Sequence, residues 1–115
     1  MKLQVQDQSL RLRVTEAELR DLLSGSVLRL DLRFDGLNLL ALEVVTGSVS
    51  SLQSGAAWRL RLSDAALRGY ADTLPRRDAL VVALTGSGGE PLRLAFDVDV
   101  RDSVKVRGPR KGGTG

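Results

Sequence analysis

Two short blocks, Leu10-Arg11-Leu12-Arg13-Val14 and Trp58-Arg59-Leu60-Arg61-Leu62, each carry two arginines in alternation with apolar residues. Period-two spacing puts both arginines of a block on one side of an extended strand. Each block therefore presents two guanidiniums, the group best suited to gripping a carboxylate or phosphate with paired N–H donors. Brought together between the halves of the chain, Arg11, Arg13, Arg59 and Arg61 would make a site for a small anion or metabolite. The plainer use is a solvated strand face whose arginines pair across the sheet with carboxylates such as Asp31, Glu43 and Asp97.

Glu43, Asp97 and Asp99 form a second set. Carboxylates on neighbouring strands can share a proton or ligate a divalent cation. Alternation with Leu, Phe and Val also makes them the wet side of a strand, and no Asp-x-Asp-x-Asp-Gly calcium loop is present. The candidate ligand-binding residues are thus Arg11, Arg13, Arg59, Arg61, Glu43 and Asp97. No catalytic residue, metal ligand or cofactor is assigned.

Several chemistries are excluded outright. The 115 residues contain no Cys and no His, which removes thiolate nucleophiles, Cys/His zinc sites, disulfides and imidazole acid–base catalysis. Ser87-Gly88-Gly89 is no phosphate loop, because no helix follows it and no lysine stands at the required spacing. The net charge of +3 is unevenly placed. Residues 101–115 hold five of the 17 bases and one of the 14 acids, so residues 1–100 carry 12 and 13, a net of −1. The basic end, without an aromatic platform, would support only weak, salt-sensitive contact with nucleic acid.

The elements that must position these residues follow from the hydrophobic periods. Leu3 and Val5, then Leu10, Leu12 and Val14, alternate with polar residues and predict a hairpin. At Thr15-Glu16-Ala17-Glu18 a capping-box pattern opens a helix with Leu19, Leu22 and Leu23 on one face, and Gly25 stands where its C-terminal cap belongs. Alternation resumes at Leu28–Phe34, turns at Asp35-Gly36 and returns through Leu37–Val45. That returning strand is apolar on both faces, which implies a place inside a sheet or a covered outer face.

The second half repeats the first. Leu10–Arg20 lies over Trp58–Arg68 without a gap, with six of eleven positions identical, and Leu40-Ala41-Leu42-Glu43-Val44 matches Leu94-Ala95-Phe96-Asp97-Val98. Leucine patterning explains the leucines. A Thr/Ser cap, an acidic first turn and an Ala-x-Leu-Arg helix recurring in register favour an internal duplication. The expected fold is α+β: two pseudo-repeated ββαββ units, Val49–Leu52 being the short first strand of the second, forming an antiparallel sandwich or partly closed barrel with two short helices. The single domain covers residues 1–104, with repeats of about 1–47 and 48–104, and residues 105–115 form a basic flexible tail. Glu18 and Leu10 become Ala66 and Trp58 in the second copy, so the duplication is not exact.

Met1-Lys2-Leu3-x-Val5, followed by Ser9-Leu10-Arg11-Leu12-Arg13-Val14-Thr15-x-x-Glu18-Leu19, resembles the opening of a family of short bacterial proteins of unknown function. Its members begin M-K-[IL]-x-[IV] and continue S-[IL]-R-L-R-[LV]-T-x-x-E-[LV]. Ala41-Leu42-Glu43 resembles the family's Y-A-L-E block. The family's strand running into E-K-D-F and a cysteine is replaced here by Phe96-Asp97-Val98-Asp99-Val100-Arg101-Asp102 without one, which argues against any role for a thiol. The resemblance implies a stand-alone bacterial domain and brings no activity with it.

The functional expectation is a non-enzymatic binding or protein-interaction module, self-associating through a face that includes Leu37, Leu39, Ala41 and Val45. The alternative is a small-anion or metabolite binder, or an enzyme, built on the arginines and carboxylates between the repeats. With no signal peptide and no run approaching the ~20 apolar residues of a membrane span, the chain reads as cytoplasmic, with no membrane partner.

Overall fold

A computed structural model describes residues 1–75, 78–85 and 89–99. The basic tail, the Ser87-Gly88 step and any extension of the last strand beyond Asp99 lie outside the described residues. The described residues form a mixed α+β structure with eight strands in two sheets and two helices, and among them neither sheet closes into a barrel.

Strands β1 (Lys2–Gln6) and β2 (Ser9–Thr15) form the expected hairpin, and helix α1 (Glu16–Leu23) follows at once. Strands β3 (Leu28–Phe34) and β4 (Leu37–Gly47) form a second hairpin, whose Asp35 and Gly36 both have positive φ (54° and 73°). Two successive left-handed residues are what a tight hairpin turn needs, and Asp-Gly supplies them cheaply. Then come β5 (Ser51–Gln53), β6 (Trp58–Ser63), helix α2 (Asp64–Ala71), β7 (Leu80–Thr85) and β8 (Pro91–Asp99). β5 begins two residues later than predicted, after Ser50, whose Oγ accepts the Ser63 N–H at 2.9 Å.

The first sheet runs β1-β2-β8-β7 and the second β3-β4-β6-β5. Each takes one hairpin or strand pair from each half of the chain. Where an antiparallel arrangement was expected throughout, only the outer pairs are antiparallel, and the central pairs β2–β8 and β4–β6 run parallel. A short turn forces antiparallel pairing, but no turn joins either central pair, so their direction is set by how the halves dock. The apolar character of β4 on both faces matches its interior place in the second sheet.

One core unites the elements. Leu12, Val14, Leu94, Phe96 and Val98 of the first sheet, Leu28, Leu42, Val44, Leu60 and Leu62 of the second, and Leu19, Leu22, Leu67 and Tyr70 of the helices are all buried in it. Tyr70 meets Phe96 edge to face, ring centroids 6.1 Å apart, and its hydroxyl donates to the Asp78 carbonyl at 2.9 Å. Both helix starts are capped as the sequence predicts. Thr15 Oγ1 accepts the Glu18 N–H while Glu18 Oε1 accepts the Thr15 N–H, a complete capping box; Ser63 Oγ accepts the Ala66 N–H alone. Gly25, φ +96°, follows the Ser24 C-cap of α1 in the left-handed conformation that ends helices. No helix among the described residues is long and apolar enough to cross a membrane.

Candidate functional site

Because β2 is central in its sheet, its alternation decides what two neighbours share. Leu12 and Val14 point into the core, so Arg11 and Arg13 must lie on the outer face. On the β8 side, register sets Arg13 beside Asp97 and Arg11 beside Ala95. Arg11 Nη1 donates to Asp97 Oδ2 at 2.6 Å and Arg13 Nε to Asp97 Oδ1 at 2.9 Å. Asp97 is only 6% exposed, so this carboxylate is a nearly buried anchor that fixes two guanidiniums whose outer halves remain in solvent. On the β1 side, register sets Lys2 beside Arg13 and Gln4 beside Arg11. Between these four side chains lies a depression of about 340 Å³. A smaller one of about 70 Å³ adjoins it through Gln4 and Arg11 and reaches Gln6, Ser9 and Arg93.

The second pair of arginines lies on the other sheet. Glu43, on β4, is set beside Arg29 of β3 and Arg59 of β6. Its Oε2 accepts from Arg29 Nη1 at 2.7 Å, and its Oε1 from Arg59 Nη2 at 2.8 Å and Nε at 3.3 Å. The hydrogen bonds from Arg59, and then the charges of Arg29 and Arg59, hold the Glu43 carboxyl below its ordinary range against a smaller opposing effect of desolvation. Arg61 stands beside Val45 and lays its aliphatic stem across Gly47, where an added Cβ would come within 2.7 Å of the Arg61 Cγ. Neither Arg61 nor Asp31 has an ion pair among the described residues.

The six candidate residues thus fall into two clusters, Arg11, Arg13 and Asp97 on one sheet and Arg59 and Glu43 on the other, with Arg61 apart from both. In each cluster a carboxylate is shared between two guanidiniums. Asp99 sits beside Thr15 at the end of β8. No group of three or more acidic residues able to hold a metal ion occurs among the described residues.

Sequence reasoning did not find Lys2, Gln4, Arg29 or Arg93. Alternation on β1 puts Lys2, Gln4 and Gln6 on one face, and hairpin register would have aligned them with Arg13, Arg11 and Ser9. Arg29 and Arg93 had no such signal, since their roles depend on which strands become neighbours.

The apolar outer face expected on β4 is real at one end only. Leu37 and Leu39 are 64% and 58% exposed, Ala41 is buried, and Val45 is half-buried. The exposed apolar surface gathers instead at the tip of the β3–β4 hairpin, where Leu32 and Phe34, the latter 71% exposed, join Leu37 and Leu39. β4 pairs with β6 only from Leu42 onward, so Leu37–Ala41 have no strand on that side among the described residues.

No family model, no curated protein and no solved structure matches this chain. What the geometry defines is a class: two mixed four-stranded sheets and two helices sharing one core, with a basic, carboxylate-anchored face and a hairpin whose tip exposes apolar side chains.

Proposed function

We propose that this chain is a non-enzymatic interaction module that self-associates through the β3–β4 hairpin, a second copy pairing along the free edge of β4. The observation that carries this reading is the overrun of β4 past β6: five residues, Leu37–Ala41, have no strand on their β6 side among the described residues, beside exposed Leu32, Phe34, Leu37 and Leu39. An edge of this kind is normally blunted by charge, proline or cover, and here it is flanked by apolar side chains. A second copy is the occupant because an edge strand can pair with itself antiparallel about a twofold axis, which closes the assembly and consumes both edges at once.

The module is read as a duplicated ββαββ unit in a sandwich whose copies exchange hairpins. Support comes from strand order: β1-β2-β8-β7 and β5-β6-β4-β3 correspond element by element under the repeat seen in the sequence. The registers differ, Glu43 standing beside Arg59 where its counterpart Asp97 stands beside Arg13, and that offset accompanies the projection of β4.

Sedimentation velocity over a concentration series tests the reading. The wild type forms a dimer, and L37K/L39E, which charges the edge without touching the core, stays monomeric with unchanged circular dichroism. A wild type that remains monomeric up to near-millimolar concentration overturns the self-association.

A further inference from the structure

We infer that the outer face of the first sheet binds a compact, multiply charged oxyanion of the phosphate type, seated between Lys2, Gln4, Arg11 and Arg13. Four observations converge on this site, which is separate from the hairpin.

The first is charge. The depression is lined, among the described residues, by three cations and an amide, with no carboxylate, although residues 1–100 as a whole are net negative. Lys2 and Arg93 have no ion pair among the described residues.

The second is preorganisation. Asp97 holds Arg11 and Arg13 from the β8 side, while the depression opens on the β1 side of the same strand. The Arg11 guanidinium has five N–H donors and gives one of them to the anchor. Anchored arginines lose less conformational freedom on binding than free ones, so more of the interaction appears as affinity.

The third is size and lining. A volume of about 340 Å³ falls at the lower end of the range for small-molecule sites. No ring lines it, so nothing there stacks on a base or a sugar, and recognition rests on charge and oxygen acceptors.

The fourth is continuity. The second depression extends the first along the strands toward Arg93, and the four-residue advance from Lys2 to Gln6 spans about 13 Å. A linear anion carrying several charges uses both depressions, which a single phosphate cannot.

Inorganic tripolyphosphate is the probe, titrated into the full chain by isothermal calorimetry and followed by amide NMR shifts. The inference expects saturable one-to-one binding, tighter than that of inorganic phosphate, with shifts on β1 and β2. K2Q and R11Q should each weaken it by about tenfold, the loss of one charge-assisted hydrogen bond. R20Q, which removes the same charge from the exposed face of α1, should change it less than twofold. Lys2 is exposed, so K2Q keeps the test valid if R11Q unfolds. Absence of saturable binding overturns the inference. Equal weakening by R20Q also does, since net charge alone would then be responsible. Tighter binding of single-stranded oligonucleotide through the same residues replaces the compact anion with a nucleic acid.

Discussion

Replacing Thr15 and Glu18 probes the joint between β2 and α1, where three polar contacts meet. Thr15 Oγ1 accepts the Glu18 N–H at 3.1 Å, Glu18 Oε1 accepts the Thr15 N–H at 2.9 Å, and Glu18 Oε2 accepts from the Met1 amine at 3.0 Å. T15A removes one N-cap bond and should cost about 1 kcal/mol. E18A removes the two carboxylate bonds and strands two donors, one of them the amine of the half-buried Met1, so it should cost about 1–3 kcal/mol. Since T15A and E18A act on one reciprocal box, the double variant should cost less than the sum by roughly 0.5 kcal/mol or more. S63A, at the start of α2, removes a single longer bond of 3.2 Å with no return partner, and should cost the least of the three.

The same joint gives a pH signature. Burial raises the Glu18 carboxyl, but the hydrogen bonds from the Thr15 backbone, the terminal amine and the Thr15 hydroxyl together outweigh it, and the net shift is downward. A carboxyl that is more acidic in the folded chain adds stability that is complete above its unfolded value and disappears as pH falls through its folded value. Urea unfolding followed by circular dichroism reads both effects. The stability gap between wild type and E18Q should be widest near neutrality and close in acid. A gap that does not change with pH, together with equal costs for T15A and S63A, would refute the reasoning.

F96A should cost about 3–5 kcal/mol, because Phe96 is fully buried at the centre of β8 and the change empties the space against Tyr70; a thermal melt displaced by only a degree or two would contradict that placement. W58L, which gives the second half the residue of the first, should change stability by less than about 1 kcal/mol, since Trp58 is nearly half exposed. A loss above twice that would show that Trp58 carries packing its exposure does not suggest.

Local features were legible in the residues themselves because they depend on neighbours a few positions away. The Thr15 capping box, the Gly25 helix end, the Asp35-Gly36 turn and the inward set of Leu12 and Val14 all follow from spacing, and all occur. The sequence also determined that Arg11 and Arg13 share a face, since alternation allows nothing else. Alternation assigns a side chain to a face and leaves open the strand beside it. Only tertiary structure decided that Asp97, 84 positions from Arg13, would anchor the first cluster, that Glu43 would take Arg59 with Arg29, and that Lys2 and Gln4 would complete a depression. Direction was beyond reach for the same reason. The central pairs join strands that no turn connects, and they run parallel because the docking of two halves around a shared core, rather than chain reversal, selects their register.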